Sequence, residues 1–180
     1  MKRLAAGILG LVALLIGSVA EAQDRGIYSV SVLAGVSGAF DSNGERAFDH
    51  TARVLAVGMN TGEQVWTSIR LGSLALDDEE LAVGRADGEI EYLSIAAENR
   101  FRLNAYTFGV FGGLGLYQLD ALLLEGGREQ KEALGLSLGF TGDFDITRRI
   151  SIVAEVATHY VFFGETSFFG SALAGVAVHF

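Results

Sequence analysis

The chain contains no cysteine and no proline. Without cysteine there is neither a disulfide framework nor a thiolate zinc site. Without proline, the 24 glycines are not the mark of a loop-rich domain; they fit crowded strands with small residues on one face. Cations are also scarce, 13 Lys and Arg against 22 Asp and Glu, for a net charge of -9. Nucleic acid is therefore not an expected partner, because phosphate binding draws on a basic surface. Charged residues make up 19% of the chain and hydrophobic ones 50%, with a mean hydropathy of +0.36, which excludes disorder. Long apolar runs are confined to the first residues. No later run reaches the roughly 18 residues of a transmembrane helix, so a membrane role would have to be carried by strands. The length of 180 residues fits one domain.

The first segment is set apart from the fold. Met1, Lys2 and Arg3 open it with positive charge, and Leu4 to Ala20 follow without any charge. Ala20-Glu21-Ala22 then supplies a small-x-small site. Residues 1–22 read as a cleaved secretory signal peptide; the alternative is an uncleaved anchor. Residues 23–180 form the expected domain.

That domain is a succession of short runs with period two, the signature of strands. Leu134 to Thr141 alternates Leu, Leu, Leu and Phe with Gly, Ser, Gly and Thr. Similar runs start at Tyr28, Val65, Ala105, Ile150 and Ala172, and weaker ones cover Thr51 to Met59 and Glu89 to Ala97. The connections alternate as well. Asp41 to His50, Asp77 to Gly88 and Asp120 to Gln130 are long and polar, whereas Asn60 to Glu63 and Glu98 to Arg100 are tight, with Phe144 to Arg149 intermediate. Eight strands joined by alternating short turns and long loops predict an all-β, up-and-down antiparallel, eight-stranded transmembrane β-barrel. A soluble eight-stranded barrel would place polar side chains outside and bulky apolar ones inside. Here the second face is Gly, Ser, Ala and Thr, which suits a narrow interior better than a wet surface.

The chain at this point resembles the small eight-stranded outer-membrane barrels, the family of outer-membrane proteins A and X and the porin-like surface antigens. Asp145 to Glu155 is similar to the family's last periplasmic turn with an inward Glu. Gly175 to Phe180 is similar to its closing strand. The resemblance implies an assembly signal at Val176, Val178 and Phe180, and an aromatic girdle drawn from Phe168, Phe169 and Phe180. It implies residence in the Gram-negative outer membrane after export. The implied partners are outer-membrane lipids and lipopolysaccharide, the assembly machinery and periplasmic chaperones, with an extracellular ligand for the loops. A monomer is expected. Such folds carry many functions, so function is not implied by the fold.

Chemistry is sparse. Of three histidines, His50 is in a loop, His179 is near the end, and His159 lies on the inward parity of the seventh run. The lipid A deacylases of this architecture carry Ser two residues after the His, and Val161 occupies that position. His159 with Glu155 or Glu165 and Ser167 therefore makes a poor triad, and no catalytic residue, cofactor or metal is expected. Arg53, Arg70, Glu91, Glu155 and His159 are assigned to the interior, Arg53 on the ground that an outward Arg is costly in lipid. Eight strands leave an interior that side chains fill, so these residues are expected to form a paired polar network, with Arg70 the first choice of partner for Glu155. An ion pathway is the alternative. Asp77, Asp78, Glu79 and Glu80 form an acidic loop, read as a solvated face or a site for hard cations. The function expected is non-enzymatic, in envelope integrity or surface interaction through the loops. A narrow pore is the alternative, and a lipid A-modifying enzyme a remoter one.

Overall fold

The computed structural model describes residues 26–39, 50–77, 85–103, 105–123, 127–163 and 166–180. Eight strands follow in order: β1 (Tyr28–Ala39), β2 (His50–Asn60), β3 (Val65–Asp77), β4 (Arg85–Leu103), β5 (Tyr106–Leu123), β6 (Arg128–Asp145), β7 (Ile150–Phe162) and β8 (Thr166–His179). Each pairs antiparallel with the next, and β8 returns to β1 to close the barrel. Closure leaves no sheet edge, so every strand finds backbone partners on both sides. The predicted fold class is the observed one. Tyr28 and Phe180 exchange both backbone hydrogen bonds, at 2.9 and 3.0 Å, which places both ends of the described barrel on one rim. That rim also carries the tight connections 61–64 and 146–149, and Ala105, whose carbonyl accepts from Asp145 N–H, and is the turn side; the opposite rim is the loop side.

Alternation decides what each face does. Leu114 and Leu134 are 67% and 66% exposed, and Val32, Ile95 and Leu138 exceed half exposure. The outer face is thus an apolar belt far larger than the patches a soluble monomer shows. Aromatic rings border it on the turn side, with Tyr106 4.9 Å from Phe144 and Tyr28 6.2 Å from Phe180. On the loop side Tyr160 lies 5.0 Å from Phe162 and 6.0 Å from Phe168. Phe169 does not join that girdle. Its neighbour Phe168 takes the outward parity, so Phe169 is buried in the lumen.

Strand lengths depart from expectation where polar residues lie inside strands. Glu98 to Arg100 is not a turn: β4 continues to Leu103, because Glu98 is buried in the lumen while Asn99 faces out. Asp120 to Gln130 is not a long loop either. β5 and β6 stay paired up to Leu122 and Arg128, and Gly127 next to that pair takes φ 141°, a region that disfavours side chains.

Two parities are corrected. Arg53 faces outward, because Ala52, Val54, Ala56 and Gly58 fill the lumen side of β2. The burial of four small residues outweighs the cost of one exposed guanidinium. Glu91 also lies on the outer parity, since Ile90 and Tyr92 point inward and are buried. The Tyr92 ring stacks on Tyr117 at 5.1 Å, a contact that Glu91 would displace.

Candidate functional site

The lumen is the only place where the described residues gather buried polar chemistry, and it has two halves. On the loop side it is filled by Leu33, Val54, Leu74, Ile90, Tyr92, Tyr117, Leu119, Val161, Phe169 and Leu173. Their size is accommodated by glycine on neighbouring strands. A Cβ at Gly135 would meet the Tyr117 ring at 2.7 Å, and one at Gly139 would meet Phe111 at 2.6 Å. The glycines that look like weak strand formers in sequence are the seats of interior rings.

The turn-side half is polar. Arg70 of β3 crosses the lumen to an ion pair and hydrogen bond with Glu155 of β7, and its guanidinium lies 4.5 Å from the Phe111 ring centre. Nearer the turns, Arg100 pairs with Glu98 at 2.8 Å and with Asp143 at 3.7 Å. It also lies 4.5 Å over the Trp66 ring. Thr141 donates to the Glu98 carboxylate. Ser151 donates to Asp145 at 2.8 Å and lies 3.0 Å from His179 Nε2. Buried charges are tolerated when paired, and Arg70, Glu155, Arg100, Glu98 and Asp143 each have an ion-pair partner.

Of the five residues assigned to an interior network, the structure brings Arg70 and Glu155 into contact. It places His159 nearby in the apolar half, its Nδ1 3.0 Å from the Tyr117 hydroxyl. Arg53 and Glu91 are outside. Asp77 ends β3, whereas Asp78, Glu79 and Glu80 lie outside the described residues, as do residues 1–25, the signal segment among them. Glu165 also lies there, and of the Ser167 side chain nothing is described. Val176 and Val178 face out, and Phe180 caps the turn-side rim beside Tyr28.

Sequence reasoning missed Glu98, Arg100 and Asp143. The signal was present: Glu98 continues the parity of Tyr92, Ser94 and Ala96, and Asp143 that of Ser137, Gly139 and Thr141. Assigning charge to turns concealed it.

Cavities are small. One of about 30 Å³ lies between the two ion-paired groups, lined by Arg70, Glu98, Arg100, Thr141, Asp143 and Glu155 among others. A vestibule of about 330 Å³ opens at the turn side between Trp66, Arg100, Arg102, Thr107 and His179. Among the described residues no group of three or more His, Asp or Glu could hold a metal ion.

The fold is that of the small eight-stranded outer-membrane barrels. Neisserial surface protein A superposes with a TM-score of 0.69 at 15% identity, covering 88% of this chain and 100% of that one. Ail, the attachment invasion locus protein of Yersinia pestis, gives 0.59 at 16%, over 87% and 99%. The N-terminal β-barrel domain of Pseudomonas aeruginosa OprF gives 0.53 at 16%, over 87% and 100%. At such identities the likeness is one of fold. No protein-family model and no curated protein matches the chain.

Proposed function

We propose that the protein is an integral barrel of the Gram-negative outer membrane, exported by its first 22 residues. Its role is non-enzymatic: envelope integrity, or surface interaction through the loop-side connections, with lipopolysaccharide and an extracellular ligand as partners. The observation that carries this reading is the pairing of a continuous apolar belt with a plugged lumen. The belt needs lipid against it. The plug argues against solute passage, because the rings of Tyr92 and Tyr117 and the side chains of Leu74, Ile90, Val161 and Phe169 close the loop-side half. That leaves the loops as the part free to act. His159 supports no hydrolytic reading, since it is buried with its ring against two tyrosines.

The alternative of a narrow pore draws on the polar half and its vestibule. Three measurements test these readings. The protein is expected to fractionate with the outer membrane, to migrate differently with and without heating, and to be silent in planar bilayers. Recovery as a soluble periplasmic species would overturn the membrane assignment, and steady unitary conductance of the wild type would favour the pore.

A further inference from the structure

The turn-side rim is not uniform. Asp145 N–H donates to the Ala105 carbonyl at 2.9 Å, which sets the start of β5 beside the turn between β6 and β7. In that turn Thr147 Oγ1 accepts from the backbone N–H groups of Arg149 and Ile150, at 3.2 and 3.0 Å, so the hydroxyl fixes its shape. Arg102, near the end of β4, reaches Asp145 at 3.6 Å. One sector of the rim, from β4 to β7, thus gathers Arg102, Arg148 and Arg149, all exposed. The carboxylate among them is Asp145, which Arg102 and Ser151 already engage. Connection 61–64, elsewhere on the rim, carries Glu63 and no cation. In a chain of net charge -9, such a concentration of cations runs against the average.

The same sector carries apolar side chains at the turn-side end of the belt. Leu103, Tyr106 and Ile146 are 69%, 61% and 55% exposed, and the Phe144 ring packs beside Tyr106. A guanidinium next to such anchors lies at the depth of the lipid headgroups, its stem along apolar surface and its charge toward water. The groups it meets there are phosphodiesters. A zwitterionic headgroup brings its own ammonium to that phosphate, whereas an anionic one leaves its charge for the protein. A soluble anion would gain nothing from Leu103, Tyr106 and Ile146; a lipid is held by charge and chain together.

We propose that Arg102, Arg148 and Arg149 form a binding site for an anionic phospholipid, one whose phosphodiester has no cation of its own, in the leaflet that the turn side enters. The guanidiniums take the phosphate, and Leu103, Tyr106 and Ile146 lie along the acyl chains. The inference rests on the belt facing lipid, and under the outer-membrane reading that leaflet is the periplasmic one. It gives the turn side a ligand, where the proposed function gives one only to the loops.

Phosphatidylglycerol is titrated into the full chain folded in detergent micelles, and bound lipid is counted by native mass spectrometry, with phosphatidylcholine of the same chains for comparison. The wild type is expected to take phosphatidylglycerol at least about fivefold more tightly than phosphatidylcholine, the effect of one basic residue at a lipid surface. Arg148→Gln with Arg149→Gln should weaken phosphatidylglycerol about 25-fold, at about fivefold for each residue, and leave phosphatidylcholine unchanged. Arg128→Gln, at an exposed cation of the loop-side rim, is the control and should change neither. Heat-dependent migration reports whether a variant is folded; where the double variant is not, Arg102→Gln alone should weaken phosphatidylglycerol about fivefold. Equal affinity of the wild type for the two lipids, or a loss from the turn substitutions no greater than that from Arg128→Gln, overturns the site. Binding of glycerol 3-phosphate as tight as that of the lipid assigns the guanidiniums to a soluble anion and overturns it as well. Failure of the wild type to enter vesicles at all would defeat the membrane reading, and the site with it; entry without a preference for phosphatidylglycerol defeats only the site.

Discussion

The two halves of the lumen solve the same packing problem in opposite ways. On the loop side, rings and branched chains fill the space between strands, seated on glycines. On the turn side the space is spanned by long charged side chains, Arg70 to Glu155 and Arg100 to Glu98 and Asp143. Apolar packing tolerates partial relaxation when an atom is lost, whereas a buried charge that loses its partner has no inexpensive alternative. The difference teaches where this barrel is brittle: in the half that looks solvated.

The sharpest way to break the comparison is Glu155→Ala, which strands Arg70. It should cost about 3 to 5 kcal/mol, read as a fall in the urea midpoint in detergent micelles. Replacing both partners, as Arg70→Met with Glu155→Leu, should recover most of the loss. A double variant as damaged as the single one would show that packing, and not charge, holds the turn-side half. Leu74→Ala, at a fully buried position of the apolar half, should cost about 2 to 5 kcal/mol, with no rescue by a second substitution elsewhere. If it costs less than the neutral surface range, the plug is loose and the pore reading gains.

Thr141→Val removes one hydrogen bond to the Glu98 carboxylate and keeps the shape. About 1.5 to 3 kcal/mol is expected from a bond to a charged group, measured in the same titration, and a loss above that of Glu155→Ala would place the critical pair at Glu98. Arg148→Ala, in the exposed turn between β6 and β7, should change stability by no more than about 0.5 kcal/mol. A larger fall would mean that the turn contributes what we assign to the lumen.

The ordering of these effects reflects how much of the site was legible. The parity of β3 and β7 put Arg70 and Glu155 on one side of their strands, and the scarcity of interior cations made them natural partners. For β2 the alternation was poor and the choice rested on one residue, whereas in β4 Ile90 and Tyr92 alternate clearly with Glu89 and Glu91 and the wrong one of the two faces was set inward. Arg53 was placed by its desolvation cost alone, which Ala52, Val54 and Ala56 override together. Glu91 was set against Tyr92, whose ring belongs with Tyr117 and His159, contacts between strands that no local pattern records. Glu98 and Asp143 were lost because charge near a presumed turn reads as solvent exposure.

By itself the sequence determined that there are eight strands, that they run up and down, and that one face is apolar and the other small. Period-two alternation is a local property of the extended backbone and needs no partner strand. Only the tertiary structure decided which parity of β2 and β4 faces inward, how far β4, β5 and β6 extend, and which charges meet across the lumen. Those outcomes depend on register and on the closure of β8 against β1, which fix the stagger of all eight strands together. A single strand can state that it has two faces, but the ring of strands decides which of them is inside.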